Sequence, residues 1–129
     1  MAMTPIDTVK AIFTAMETKD YTTALTFVAD NCVYENLPSA DLGGIGPAGI
    51  LAVLEPFFAP VIRNEFVWLR EASAGNTVFL ERLDRHLLAT GWVELPVNGV
   101  FEVENGKLTV WRDYFDMATI MAKWPQPGA

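Results

Sequence analysis

The sequence predicts an α+β fold in which helices pack on one face of a curved antiparallel sheet. Two observations carry this reading. Apolar residues recur at helical spacing through the first part of the chain, and from Arg63 onward the pattern changes to four strand candidates joined by short turns. Short connections make successive strands antiparallel, and the helices come mostly first. With 129 residues, 51% of them hydrophobic, the chain has the size and the apolar content of one ordinary domain, expected to span residues 1–129.

Each element has its own signal. Thr4 is a candidate N-cap with Pro5 at the first helical position, and Ile6, Val9, Phe13 and Met16 then share one helical face. Asp20 offers a second cap, and Leu25 and Val28 precede a polar break at Asp30 and Asn31, which predicts a short second helix. Cys32 to Pro38 reads as a short extended segment. Ser39 to Gly46 reads as a glycine-rich loop that lacks the Lys-Ser/Thr of a phosphate-binding loop and turns the chain into a third helix. Pro47 starts that helix; Ile50, Leu51, Val53, Leu54, Phe57 and Phe58 make it apolar over most of its surface, with Pro56 expected to kink or shorten it. The strands are Glu65 to Ala72, Thr77 to Leu88, Trp92 to Val103 and Lys107 to Phe115. Asn105-Gly106 between the last two favours a type I′ hairpin turn. Asp116 to Trp124 adds a final helical turn before the tail PQPGA.

Composition excludes several functions. A net charge of −7, with nine Lys and Arg scattered singly, provides no basic stripe and repels nucleic acid and anionic membranes. One cysteine (Cys32) rules out an internal disulfide, and with one histidine (His86) it cannot build the usual zinc cage. No metal or cofactor is expected. Neither a secretory n-region nor a run of about 20 apolar residues is present, so a cytoplasmic protein is expected.

Chemistry enters where polar residues interrupt apolar rows. Side chains alternate faces along a strand, so Val78, Leu80, Arg82, Asp84, His86 and Leu88 share one face, and the opposite row is also mixed. Trp111, Asp113 and Phe115 share a face of the last strand, as do Tyr34 and Asn36 in the first. Counting from the Asn-Gly turn puts Val100 opposite Trp111 and Asn98 opposite Asp113; a three-residue turn Ala89 to Gly91 puts Arg82 near Asn98 and Asp84 near Pro96. Arg82 and Asp113 then lie two strands apart, about 10 Å at the usual strand spacing, within reach of a guanidinium. Pro96 and Gly99 allow a bulge that would change this register. An Arg between two carboxylates in an apolar pocket can keep one ionised as a base while the other holds a proton as an acid. The same residues also fit a structural Arg82–Asp84 ion pair with Asp113 as an outlying surface charge. Taken singly, Tyr34 fits a core tyrosine, Asn36 a turn former, His86 a packed strand residue and Cys32 a small buried hydrophobe.

In order, the stretches Tyr34 to Pro38 (YENLP), Glu81 to Asp84 (ERLD), Leu95 to Val103 (LPVNGVFEV) and Trp111 to Asp116 (WRDYFD) resemble the limonene-1,2-epoxide hydrolase family. The resemblance runs from about Asn31 to Phe115. It implies the cone-shaped α+β fold shared with nuclear transport factor 2 and ketosteroid isomerase, with N-terminal helices on a curved mixed, mostly antiparallel sheet. The first helix is expected to start close to the N-terminus, so the extension that some members carry before it is expected to be missing. The resemblance further implies that Asp113 is a general base, that Tyr34 and Asn36 hold the water it deprotonates, that Asp84 is the general acid for the epoxide oxygen, and that Arg82 bridges the aspartates. Such enzymes act in one step without metal, cofactor or covalent intermediate, and a homodimer is expected.

Simultaneous deprotonation of water and protonation of the epoxide oxygen avoids two high-energy charged species, and an apolar pocket strengthens both effects. The candidate walls are Leu80, His86, Leu95, Val97, Trp111 and Phe115, with Leu51, Leu54 and Phe58 from the third helix; this lining selects a lipophilic epoxide. His86 stands where an apolar wall residue is expected, positioned to narrow substrate choice or to hydrogen-bond a substrate oxygen. Two other functions fit the same fold: an isomerase or cyclase, disfavoured because Asn36 occupies the place of its base and an amide cannot abstract a proton, and a non-catalytic binding module.

Overall fold

The structure, a computed structural model, describes residues 3–125, so the tail from residue 126 onward lies outside the described residues. The elements are α1 (Pro5–Glu17), α2 (Tyr21–Leu25), β1 (Val28–Asn36), β2 (Ser39–Ile45), α3 (Gly46–Phe57), β3 (Arg63–Ala74), β4 (Thr77–Leu88), β5 (Gly91–Glu104), β6 (Lys107–Tyr114) and α4 (Met117–Lys123). The strands form one mixed sheet in the order β2-β1-β6-β5-β4-β3, in which only β1 and β6 run parallel. No helix among the described residues is long and apolar enough to cross a membrane.

Thr4 caps α1 by accepting a hydrogen bond from the Asp7 amide at 3.2 Å, and Pro5 opens the helix. The helix buries Val9, Ile12, Phe13 and Met16 against the sheet. Phe13 is the hub, meeting Phe66, Trp68, Phe101 and Trp111 edge-on at 5.0, 5.6, 5.8 and 5.3 Å between centroids. Each such pair contributes about 0.5–1.5 kcal/mol beyond its area burial. Five aromatic rings thus hold α1 against the sheet.

Three expectations are corrected. The second helix ends at Leu25, and Val28 to Asn31 belong to β1, because the backbone groups after Phe27 pair with β6 instead of continuing the helix. The glycine-rich stretch is strand β2, antiparallel to β1. Its glycines allow two close approaches: a Cβ on Gly43 would stand 2.2 Å from the Tyr34 carbonyl oxygen, and one on Gly44 would stand 2.8 Å from the Gly49 Cα of α3.

The third correction is the register. Leu88 pairs with Gly91 across a two-residue turn, so Arg82 faces Val97 and Asp84 faces Leu95. In the last hairpin a bulge at Thr109 shifts the ladder by one, so Trp111 faces Phe101 and Asp113 faces Gly99. The Thr109 hydroxyl stabilises the bulge by donating to the Glu102 carbonyl at 3.2 Å. The two errors are each of one residue, so Arg82 and Asp113 still share a face. Pro56 stands inside α3, which ends at Phe57 one residue later, and past the proline the Phe58 amide still donates to the Leu54 carbonyl at 2.8 Å.

Candidate active site

The buried row of β4 is Val78, Leu80, Arg82, Asp84, His86 and Leu88, while its other row is less buried throughout, so the polar row faces the core. On β5 the matching face carries Leu95, Val97, Gly99 and Phe101, and on β6 it carries Trp111 and Asp113. Parallel pairing of β1 with β6 then sets Tyr34 beside Trp111 and Asn36 beside Asp113. All five expected polar residues meet on one concave face.

Arg82, 1% exposed, bonds both carboxylates in fork geometry. Its Nε and Nη2 donate to Asp84 Oδ1 and Oδ2 at 2.7 and 3.2 Å, and its Nη1 and Nη2 donate to Asp113 Oδ1 and Oδ2 at 3.0 and 2.8 Å. Below the guanidinium lies the Phe13 ring, 4.4 Å from its central carbon, a favourable cation–π contact. Gly99 makes room beside it, since a Cβ there would stand 2.7 Å from Nη1 and 2.6 Å from the Phe101 ring. Sequence reading associated this glycine with a bulge; its place in the structure is beside the cluster.

The electrostatics follow from burial. With both carboxylates ionised the triad carries one excess negative charge away from water, an arrangement that one added proton relieves. Burial pushes the Asp84 carboxyl up to about 6, Arg82 opposing and Asp113 reinforcing the rise. Burial works against the Arg82 charge, yet Asp113 and Asp84 together hold its pKa above the ordinary arginine value. For Tyr34, burial and then the Asp113 charge raise the phenol above its usual range, so its hydroxyl stays protonated. The Asn36 amide opposes that rise, and its Nδ2 donates to the Leu42 carbonyl at 2.7 Å, which ties β2 to the site.

These groups open into a cavity of about 590 Å³ with walls that are mostly apolar. The expected wall residues His86, Leu95, Val97, Trp111, Phe115, Leu54 and Phe58 line it. Leu80 and Leu51 do not. Leu80 lies past Arg82 along β4, away from the cavity, and Leu51 sits on a different face of α3 from its lining residues Val53, Leu54 and Phe57. Sequence reading missed Phe13 and Met16 of α1, Leu42 of β2, Phe66 of β3 and the whole inner face of α4. The α4 signal was legible, because Met117, Ile120, Met121 and Trp124 fall at helical spacing on one stripe. Glu35 points to the opposite side of the sheet, where it accepts from Arg112 Nε at 2.9 Å.

Known proteins resemble the chain in sequence and in fold. Residues 3–126 match the family model of the limonene-1,2-epoxide hydrolase catalytic domain. The chain is 32% identical over 110 residues, 84% of its length and 71% of the relative's, to epoxide hydrolase EphG of Mycobacterium tuberculosis. It superposes on the structure of an M. tuberculosis LEH-like epoxide hydrolase with a TM-score of 0.78 and 30% identity, covering 92% of this chain and 86% of the other. A putative SnoaL-like polyketide cyclase from Shewanella denitrificans gives a TM-score of 0.81 at 17% identity, covering 92% and 95%, a likeness of fold alone. The chain therefore belongs to the limonene-1,2-epoxide hydrolase family, and as a member it is an epoxide hydrolase.

Proposed function

We propose that this chain is a one-domain enzyme that adds water to a lipophilic epoxide in a single acid–base step, giving a vicinal diol. The observation that carries the proposal is Arg82, bonded in fork geometry to Asp84 and Asp113 at the wall of an apolar cavity. Asp113 takes a proton from a water held by Tyr34 and Asn36, and the water oxygen forms a bond to one epoxide carbon. As the carbon–oxygen bond breaks, Asp84 gives its proton to the departing oxygen. The products are the diol, a neutral Asp113 and an ionised Asp84, and one proton transfer between the carboxylates through solvent restores the starting state.

The environments suit these roles. A carboxyl with a pKa near 6 holds a proton long enough to serve as an acid near neutrality and is still strong enough to release it. Tyr34, kept protonated, donates to the water and leaves its lone pairs directed away from the hydroxyl, while the Asn36 carbonyl accepts. Each proton transfer supplies about 10²–10⁴-fold. Exclusion of bulk water by the apolar walls increases both effects. We infer further a homodimer formed through the outer sheet face, where Val67 and Phe79 are exposed; a light-scattering mass of one chain would remove this inference.

The test is a single turnover with lipophilic epoxides in ¹⁸O-labelled water. Label in the first-turnover diol is the expected result. Unlabelled diol would mean attack by a carboxylate through a covalent intermediate and would overturn the one-step reading, and absence of diol from every substrate would overturn the hydrolytic one.

A further inference from the structure

His86 lines the cavity, yet the reaction above gives it no part. It is the only histidine in the chain and is 2% exposed. Its Nδ1 lies 2.6 Å from Asn64 Oδ1, and Asn64 Nδ2 donates to the Met16 carbonyl at 3.1 Å. The second bond fixes the amide's orientation: the nitrogen faces Met16, so the oxygen faces the ring, and Nδ1 must be the protonated, donating nitrogen. Burial, with Arg82 second, pushes the imidazole down to about 4, so it carries one proton only. Nε2, on the other side of the ring from Asn64, is left with a bare lone pair and no hydrogen-bond partner among the described residues.

Its surroundings make that lone pair the odd group in the wall. Phe57, Phe58 and Trp124 pack around the ring at 6.0, 5.7 and 5.2 Å between centroids. None of these contacts supplies it with a hydrogen bond. Open to an apolar cavity and given no donor by the described residues, this acceptor gains from a ligand that brings one O–H or N–H donor. A carbonyl in the same place would set acceptor against acceptor. His86 is two residues beyond Asp84 on the same face of β4, about 7 Å along the strand, on the side away from Asp113.

We propose that His86 Nε2 is a specificity acceptor, and that the substrate is a lipophilic epoxide bearing a hydroxyl several ångströms from the ring, on the side of the oxygen that Asp84 protonates. The inference rests on the hydrolase reading for the word epoxide, and on geometry alone for the hydroxyl. An apolar skeleton fills the cavity, and the hydroxyl determines which end of it meets Asp84.

The test has a binding arm and a kinetic arm. With ¹⁵N-labelled histidine, the single imidazole should show one protonated and one bare nitrogen. The bare nitrogen should shift on addition of menthol and stay in place with menthane, which has the same skeleton without the hydroxyl. Equal response to both, or a ring protonated on Nε2, overturns the proposal whether or not the protein hydrolyses anything. In the kinetic arm, 1,2-epoxycyclohexanes carrying a 4-(2-hydroxypropan-2-yl), 4-isopropyl or 4-acetyl group are compared. kcat/KM should favour the hydroxyl compound over the isopropyl one by about tenfold, the worth of one net hydrogen bond, with the acetyl compound below both. His86→Leu should remove this ranking. Should that variant fold poorly because Asn64 is left unpaired, the double change His86→Leu with Asn64→Leu removes both polar groups, while Met16 keeps its bond from the Lys19 amide. A ranking unchanged in the variants overturns the proposal; absence of diol from all three compounds would count against the hydrolase reading and leave the acceptor to be judged by the binding arm.

Discussion

The Asp84 proton should be measurable as stability. The folded protein holds this carboxyl at about 6 against an ordinary value of 3.8, and the cause is burial. Between those values the native state keeps a proton that the unfolded chain releases, so the contribution of Asp84 to stability is full below about pH 4 and declines as pH rises toward 6. The gap corresponds to about 3 kcal/mol. Asp84→Asn removes the titration and keeps the shape. Urea unfolding of both proteins, followed by tryptophan fluorescence from about pH 4 to pH 7.5, isolates the effect, because the exposed carboxylates titrate alike in both. The stability of the parent relative to the variant should fall by about 3 kcal/mol across this range, mostly below pH 6. A constant difference, or one that grows with pH, would refute the assignment of the buried proton to Asp84. Catalysis should follow the same proton, with kcat/KM dropping about tenfold per pH unit well above 6; a rate that rises from pH 6 to 8 would show that protonated Asp84 is not the active form.

Four other outcomes are expected. Gly99→Ala puts a methyl group 2.7 Å from Arg82 Nη1, so the guanidinium must move off Asp113; kcat should fall by about 100-fold, read by diol formation. Arg82→Lys replaces a planar fork making four bonds by an ammonium with three donors, too few to hold both carboxylates bidentately, and should cost about 3–5 kcal/mol in urea unfolding as well as most of the activity. Asp113→Asn should lower kcat/KM by at least about 100-fold while product diol still binds, measured by calorimetry. Cys32 is fully buried and burial pushes its thiol up to about 11, so a thiol reagent should label the protein only after denaturant is added.

What the sequence made legible depended on the range of the interactions involved. Local signals held: the Thr4 cap, the Asn105-Gly106 turn and the period-two rows of β4 and β5 are set by neighbours in the chain and appear where expected. Distant partners decided the remainder. Nothing within Ser39 to Ile45 says strand; β2 exists because Gly43 and Gly44 lie against β1 and α3, and those surfaces are made by other parts of the chain. The Thr109 bulge likewise has its hydroxyl on the Glu102 carbonyl of the neighbouring strand, a partner seven residues away that the strand pattern does not announce.

The site was more legible than the fold for a reason that can be stated physically. Arg82, Asp84 and Asp113 are costly to bury, so their presence on otherwise apolar rows requires that they meet, and only side-chain parity is needed to see that they can. Register errors of one residue moved Asp113 from Asn98 to Gly99, yet left the aspartate and the arginine on a common face. The exact register mattered for a different property: it puts a glycine, and no larger side chain, next to the guanidinium, so that Arg82 can lie flat over Phe13 and reach both carboxylates at once. The positions of the acid and the base can therefore be inferred from charge in an apolar row, whereas the space that lets one arginine hold both is visible only once the strands are paired.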